Sequence, residues 1–183
     1  MKKLACAQAW KVREQEAETA AEALGVAAMS FLRRPDWYVG ADVEEAAIAL
    51  APVLRRERPN RIYLPHVQEW HPDHRASLPV VRRALQSSDL PTPTLLTYEV
   101  WTPLEYYDHG EDITRVMRRK LKAVRCYRSQ INQFRYDRAV RGLNQFRGAL
   151  AWGCRYAEVF QHAFVASTNP PALENEVAIE GAP

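Results

Sequence analysis

The chain is predicted to adopt an α/β fold, a parallel sheet with helices on both faces. Three observations predict it. Amphipathic helical stretches alternate with short apolar runs, the run Arg61-Ile62-Tyr63-Leu64-Pro65 reads as a buried strand, and Leu95 to Trp101 is rich in aromatic and branched residues.

The first helix runs from Trp10 to Leu24, where Trp10, Ala17, Ala20, Ala21 and Leu24 fall on one face and Gly25 stands where a left-handed cap would sit. Val26 to Leu32 is short and apolar and is expected to be a strand, closed by the loop signal Arg34-Pro35-Asp36. A second helical face follows in Val43, Ala46, Ala47, Leu50 and Leu54, broken by Pro59-Asn60 before the strand at 61–65. His66 to His74 has no apolar period and reads as a loop at a strand end, leading into a helix with Leu78, Val81 and Leu85 inward. Leu95 to Trp101 is the next strand, with Tyr98 and Trp101 expected in the core. Ile113, Val116, Met117, Leu121 and Val124 mark one late helix. Ala139, Leu143, Phe146, Leu150, Gly153, Ala157, Phe160 and Phe164 step by three and four and are expected to form another. Residues 1–166 are read as one domain and 167–183 as a flexible tail, on account of Pro170-Pro171 and the small and acidic residues around them.

With 183 residues and 47% hydrophobic content, the chain can bury a real core, which excludes disordered and fibrous classes. The net charge of +3 is spread among interspersed opposite charges and implies no nucleic-acid partner. No run approaches the roughly 18 apolar residues of a membrane span, and Lys2-Lys3 does not begin a signal peptide, so a cytoplasmic location without a membrane partner is expected. Cys6, Cys126 and Cys154 are widely spaced and suggest neither a disulfide framework nor a thiolate zinc site.

The chemistry concentrates in His71-Pro72-Asp73-His74, just after Gln68-Glu69-Trp70 and beyond the carboxyl end of a strand, where open α/β sheets place their ligands. Two imidazoles and a carboxylate within four residues can supply a metal ligand, a proton donor and an acceptor that fixes the donor's tautomer. Two histidines in a polar loop are read equally well as solvated surface residues. A closed structural zinc site lacks a supporting Cys or His pair.

The segment Leu64-Pro65 through His74-Arg75-Ala76 resembles an element of the PIG-L/LmbE-like zinc-dependent N-acetylglucosaminyl deacetylases, a proline-ended strand followed by His-Pro-Asp-His. The likeness extends to Arg13-Glu14-x-Glu16-Ala17, Leu24-Gly25-Val26, Phe31-Leu32 and Pro35-Asp36. Downstream it includes Tyr98 to Leu104, Asp112-Ile113-Thr114, Lys120-x-x-Ala123, Tyr127-x-Ser129-Gln130 and Ala157-Glu158-x-Phe160, covering roughly residues 8–164 in order. The resemblance implies a Rossmann-like sheet and hydrolysis of an acetamide on an N-acetylglucosamine-type glycoconjugate. It implies Zn2+ as cofactor with His74 as a ligand, His71 as oxyanion stabiliser and acid, Asp73 orienting His71, and Arg13 at the site mouth contacting substrate. A charge pair between Arg13 and Glu16 is the competing reading of that arginine.

One departure is large. No His-Pro-Asp-Asp, the family's amino-terminal element carrying two zinc ligands and the general base, precedes residue 71. The expectation is therefore a chain whose first strand-helix unit is missing, a βαβ element of about 30 or more residues, leaving unpaired strand edges and an apolar groove. His66 and Glu69 are substitute donors only if one short loop wraps the ion tightly; His109, in a loop, and His162, on a helix, are expected to be solvated. The expected partners are a small sugar-derived substrate and, through the open groove, a second copy or a complementing amino-terminal fragment. The alternative to a hydrolase is a non-catalytic binding module or a half-enzyme completed in trans.

Overall fold

A computed structural model describes residues 6–164; the expected tail at 167–183 lies outside the described residues. Helix α1 (Cys6–Leu24) ends at Gly25, whose φ of 76° is the left-handed conformation the sequence predicts there. Of its apolar face only Ala20 and Ala21 are buried, while Trp10 and Leu24 stay exposed. Val26 to Leu32 corrects the first strand assignment: the segment is extended but joins no ladder, and Val26, Met29, Phe31 and Leu32 are exposed. An apolar run becomes a strand only when it enters a ladder with a neighbouring strand, and none of the described strands pairs with it.

A 3-10 turn at Val39–Ala41 leads into α2 (Val43–Glu57), whose start is fixed by Asp42, the side chain accepting the Glu45 N–H at 2.8 Å. Glu44 and Glu45 in the first turn and Arg55 and Arg56 in the last complement the helix dipole. Strand β1 (Arg61–Pro65) follows, then α3 (Pro72–Gln86) and β2 (Thr94–Tyr98), so the central helix-strand alternation is as predicted. β1 and β2 pair in parallel, with Ile62 opposite Leu95 and Leu64 opposite Thr97. On one side of this pair Leu64 and Leu95 pack with Ala47, Ala51 and Leu54 of α2 and Leu78, Val81 and Leu85 of α3 to form the main core.

The last third departs from the expected helix. Strand β3 (His109–Asp112), α4 (Met117–Cys126), the single turn α5 (Arg128–Ile131) and α6 (Tyr136–Arg147) are followed by a π-helical turn at Gly148–Trp152 and strand β4 (Ala157–Ala163). Two glycines make the reversal. A Cβ on Gly148 would stand 2.7 Å from the carbonyl oxygen of Cys154 and the amide nitrogen of Tyr156, and Gly153 turns the chain at φ 60°. β4 inserts antiparallel between β2 and β3, giving a mixed sheet of order β1-β2-β4-β3 in which only the β1–β2 pairing is parallel and β4 runs against the other three strands. His162 therefore lies on a strand rather than a helix, and His109 on a strand rather than in a loop. The α/β architecture, an open sheet flanked by helices, stands. No helix among the described residues is long and apolar enough to cross a membrane.

Candidate active site

The parallel pair β1-β2 brings two loops to one sheet edge, 66–71 after β1 and 99–102 after β2. Glu69 ties them together. Its side chain is buried, and Oε1 accepts the N–H groups of Val100, Trp101 and Thr102 at 2.7, 3.0 and 3.2 Å. His66, also buried, reinforces the joint: its Nδ1 accepts the Gln68 N–H at 3.2 Å, so Nε2 carries the proton and donates to the Thr102 carbonyl at 2.7 Å. Both residues are thus consumed internally, which removes them as substitute metal donors.

His71 caps α3, its Nδ1 accepting the Asp73 N–H at 3.2 Å, and Pro72 follows at the first helical position, where its missing N–H costs nothing. The cap leaves His71 Nε2 without a protein partner among the described residues. One turn on, His74 lies with its ring centroid 4.9 Å from that of His71 and its Nδ1 3.4 Å from Glu69 Oε2. With Nδ1–H donating to this buried carboxylate, Nε2 keeps its lone pair, the carboxylate–histidine arrangement common behind metal ligands.

Asp73 reaches across to the loop before α2. Its Oδ2 accepts the Trp37 N–H at 2.7 Å and its Oδ1 the Val39 N–H at 3.0 Å. Trp37 has φ 72°, a conformation that costs a non-glycine residue ~1–3 kcal/mol and persists only when its surroundings enforce it. Those two bonds enforce it, and the Trp37 indole comes to rest 4.6 Å from the His71 ring. Asp36 beside it closes a set with His71 and Asp73 in which one ligand atom from each lies within 4.8 Å of the others. This is the metal-capable set among the described residues, and its donors suit a small hard or borderline cation. Asp73 shares its oxygens with two backbone amides, whereas His74 has a free Nε2 with a carboxylate behind it. The chemistry of His74 fits a ligand at least as well.

Tryptophans surround the imidazoles. Trp70 stacks on Trp101 at 5.2 Å and 18°, Trp37 meets Trp70 edge-on at 5.7 Å, and Trp101 stacks on Tyr136 at 6.0 Å and 25°. Trp101 is 42% exposed and so is not the core residue the sequence suggested: β2 ends at Tyr98, and the Glu69 hydrogen bonds turn residues 100–102 away from the sheet. Tyr98 itself is half-buried, and burial pushes its hydroxyl above the ordinary tyrosine value, assisted by the negative charges of Glu158 and Glu69. Arg13 forms the pair with Glu16, at 3.7 Å, while Glu16 accepts both the N–H and the hydroxyl of Ser129 at 2.7 Å. The Arg13 guanidinium lies over the Tyr127 ring, 5.5 Å from the centroid; at Tyr136, burial raises the hydroxyl and the Arg13 charge lowers it. His109 and His162 lie elsewhere, on β3 and β4, bonded to Glu111 and Asp108 at 3.0 and 2.8 Å. Sequence reading missed Asp36 and the anchoring by Glu69. A signal for the cluster was present, since Trp37, Trp70 and Trp101 each follow an extended segment in consecutive units.

The family model described as PIG-L, GlcNAc-PI de-N-acetylase, matches residues 2–85, from α1 through most of α3. That segment is PIG-L-like. Among solved structures the chain is similar to the conserved protein TT1542 from Thermus thermophilus, at TM-score 0.73 and 26% identity over 85% of this chain and 74% of that one. It is similar also to N,N'-diacetylchitobiose deacetylase from Pyrococcus horikoshii, at TM-score 0.71 and 26% identity over 84% of this chain, and it spans 63% of that protein's length. A likeness at 21% identity and TM-score 0.67, to the 4-carboxy-2-hydroxymuconate hydratase GalB from Pseudomonas putida, over 94% of this chain and 79% of that one, shows shared fold alone.

Proposed function

We propose that the protein is a zinc-dependent deacetylase that hydrolyses the acetamide of N-acetylglucosamine-type glycoconjugates. The PIG-L match and the chitobiose deacetylase neighbour support a deacetylase-type function. The observation that carries the reading is the start of α3, where His71 and His74 stand ring to ring at the carboxyl edge of β1 and His74 is backed by the buried Glu69.

His74 Nε2 is the proposed ligand, and Asp36, which forms a set with His71 and Asp73, is a second candidate donor in the region. A zinc ion held there would supply Lewis-acid chemistry toward the amide carbonyl and water. His71, its Nδ1 committed to the helix cap, presents Nε2–H to the developing oxyanion and then to the departing amine. Asp73 acts on His71 through Trp37, which it pins against that ring. Arg13 offers its guanidinium fork to a sugar hydroxyl or carboxylate from the edge of the cluster. We place the remaining metal donors and the general base outside these 183 residues, because no His-Pro-Asp-Asp element occurs within them.

The test is zinc content by plasma mass spectrometry together with acetate release from N-acetylglucosamine and N,N'-diacetylchitobiose, on this chain alone and with upstream coding sequence restored. About one zinc per chain and acetate release lost in His74→Ala support the proposal. No acetate release from either form sinks it. A second reading, a binding module without catalysis, is favoured by the exposed row Val26, Met29, Phe31 and Leu32, an apolar strip available to another chain; it predicts zinc-independent complex formation and no acetate.

A further inference from the structure

Charge is unevenly distributed along this chain. From Arg115 to Arg155 there are twelve lysines and arginines and one acid, Asp137, so this stretch is strongly basic although the whole chain carries only +3. Some of these cations are neutralised within the fold: Lys120 by Glu158, Arg125 and Arg135 by Asp137, and Arg147 by Glu99. Three others converge. Arg118 of α4, Arg141 of α6 and Arg155, just before β4, line one cleft of about 420 Å³, and no acidic side chain lines it with them. The arginines are exposed, and between them the cleft reaches Met117, Leu121 and Tyr156, part of the small apolar core beneath α4 and α6. Arg141 Nε donates to the Tyr156 hydroxyl at 3.3 Å, and the Arg155 guanidinium lies over the same ring, 5.5 Å from its centroid. The bond from Arg141 holds that hydroxyl below the ordinary tyrosine value, against the effect of burial and with the charges of Arg141 and Arg155 adding to it. Like charges gathered around one opening repel one another, and an anion seated between them removes the repulsion.

We propose that this cleft is a binding site for the phosphate group of a small organic phosphate ester. The inference is independent of the deacetylase reading, since the cleft shares no residue with the 66–74 segment or with the tryptophans around it. Charge selects the ligand. Three cations without a counter-charge favour a group with more than one negative charge, which a phosphate monoester carries at neutral pH and a carboxylate does not. Guanidinium forks also fit phosphate oxygens two at a time. The floor of Met117, Leu121 and Tyr156 supplies apolar contact for the organic part of the ester. Size narrows that part, because the cleft lies at the small end of the roughly 300–1,000 Å³ usual for small-molecule pockets and suits a single ring beside the phosphate.

The experiment is calorimetric titration of the full chain with inorganic phosphate, phenyl phosphate and benzoate. Phenyl phosphate is expected to bind at least about tenfold more tightly than benzoate, and more tightly than inorganic phosphate because its ring reaches the floor. Arg118→Gln and Arg155→Gln should each lower its affinity about tenfold, with Arg118→Lys intermediate. Arg119→Gln removes the same charge from a neighbour that does not line the cleft, and it should change the affinity by no more than about twofold. His74→Ala should leave it unchanged. Sedimentation with phosphatidylcholine vesicles containing phosphatidic acid separates two sources of the ester: capture that is lost in Arg118→Gln assigns a lipid headgroup, and absence of capture assigns a soluble ester. Benzoate bound as tightly as phenyl phosphate, an equal loss in Arg119→Gln, or no binding of phenyl phosphate at millimolar concentration overturns the site. A loss in His74→Ala does so too, since it would place the phosphate at the imidazoles. A single-stranded oligonucleotide that displaces phenyl phosphate at a lower concentration of phosphate groups would reassign the basic segment to nucleic acid and overturn it as well.

Discussion

Replacing Glu69 with Gln should reverse the tautomer of His74. Glu69 is 1% exposed, and Oε1 accepts three backbone amides at 2.7–3.2 Å, while Oε2 accepts His74 Nδ1–H at 3.4 Å and shares the Trp101 N–H at 3.2 Å. Glutamine has the same shape, and three amide donors will hold its single oxygen at the Oε1 position. Its NH2 group then occupies the Oε2 position as a donor facing His74 Nδ1, which can meet it only by giving up its proton. The proton moves to Nε2, and the lone pair proposed to bind metal is lost. The stability cost is smaller than the number of contacts suggests. Three charge-assisted bonds become neutral ones, each weaker by about 1 kcal/mol, but the desolvation of a buried charge is relieved, leaving a net loss of about 1–3 kcal/mol. At ~2–4 °C per kcal/mol for a chain of this size the variant should stay folded at room temperature. Long-range proton–nitrogen correlation spectra of the imidazoles give the assay, with His74→Gln assigning the signal. Nδ1–H in the unmodified protein and Nε2–H in the variant is the expected result. An unmodified protein with its proton already on Nε2 would show that the Glu69 contact is not a hydrogen bond, and the argument for His74 as a prepared ligand would go with it.

Arg147→Met should be among the most destabilising single changes outside the main core: Arg147 donates to Glu99 and to the Leu104 carbonyl in a buried joint, and removing the cation strands the Glu99 carboxylate, at ~3–5 kcal/mol in urea unfolding. Gly148→Ala is expected to cost ~1–3 kcal/mol, because its Cβ meets backbone atoms at 2.7 Å that no rotamer change can clear; an unchanged unfolding midpoint would contradict the packing of that turn. The half-buried Tyr98 hydroxyl, raised above its ordinary value of 10.0 by burial, predicts alkaline instability. Its neutral form is favoured in the folded state, so the contribution is complete below the unfolded value and is lost as pH rises through the folded one. Tyr98→Phe should flatten the fall in urea midpoint above about pH 10, and an equally steep fall would assign the effect to other groups.

Elements with a strong local signal were legible in the sequence: α2 and α3 from their apolar spacing, the end of α1 from Gly25, and β1 and β2 from composition. The failures share one cause, because strand formation depends on partners that are distant in sequence. Val26 to Leu32 has strand composition and no ladder, while Ala157 to Ala163 has apolar residues at helical spacing yet is drawn into the sheet by β2 on one side and β3 on the other. Gly153, counted on that helical face, and Gly148 make the reversal, since Gly148 admits backbone where a side chain would stand. The candidate site was legible as residue types but not as connections. His71, Asp73 and His74 follow from their clustering, whereas nothing local indicates that Glu69 bonds to residues 100–102 or that Asp73 bonds to residues 37–39.

Those two carboxylates have a common logic that bears on how the site stays ordered. Each projects from the 66–74 segment, each accepts backbone N–H groups from a neighbouring loop, and each clamped loop carries a tryptophan, Trp101 for Glu69 and Trp37 for Asp73. The same segment supplies Trp70 between them and both imidazoles. Loops at a sheet edge are ordinarily the mobile part of an α/β domain, and here a single turn of chain fixes two of them through charge-assisted bonds stronger than neutral ones. Asp73 thereby acts on His71 at one remove, by holding a strained tryptophan against its ring instead of bonding to it. A substitution at Asp73 should therefore disturb the aromatic surface and the setting of His71 together, because the same hydrogen bonds hold Trp37 against that ring.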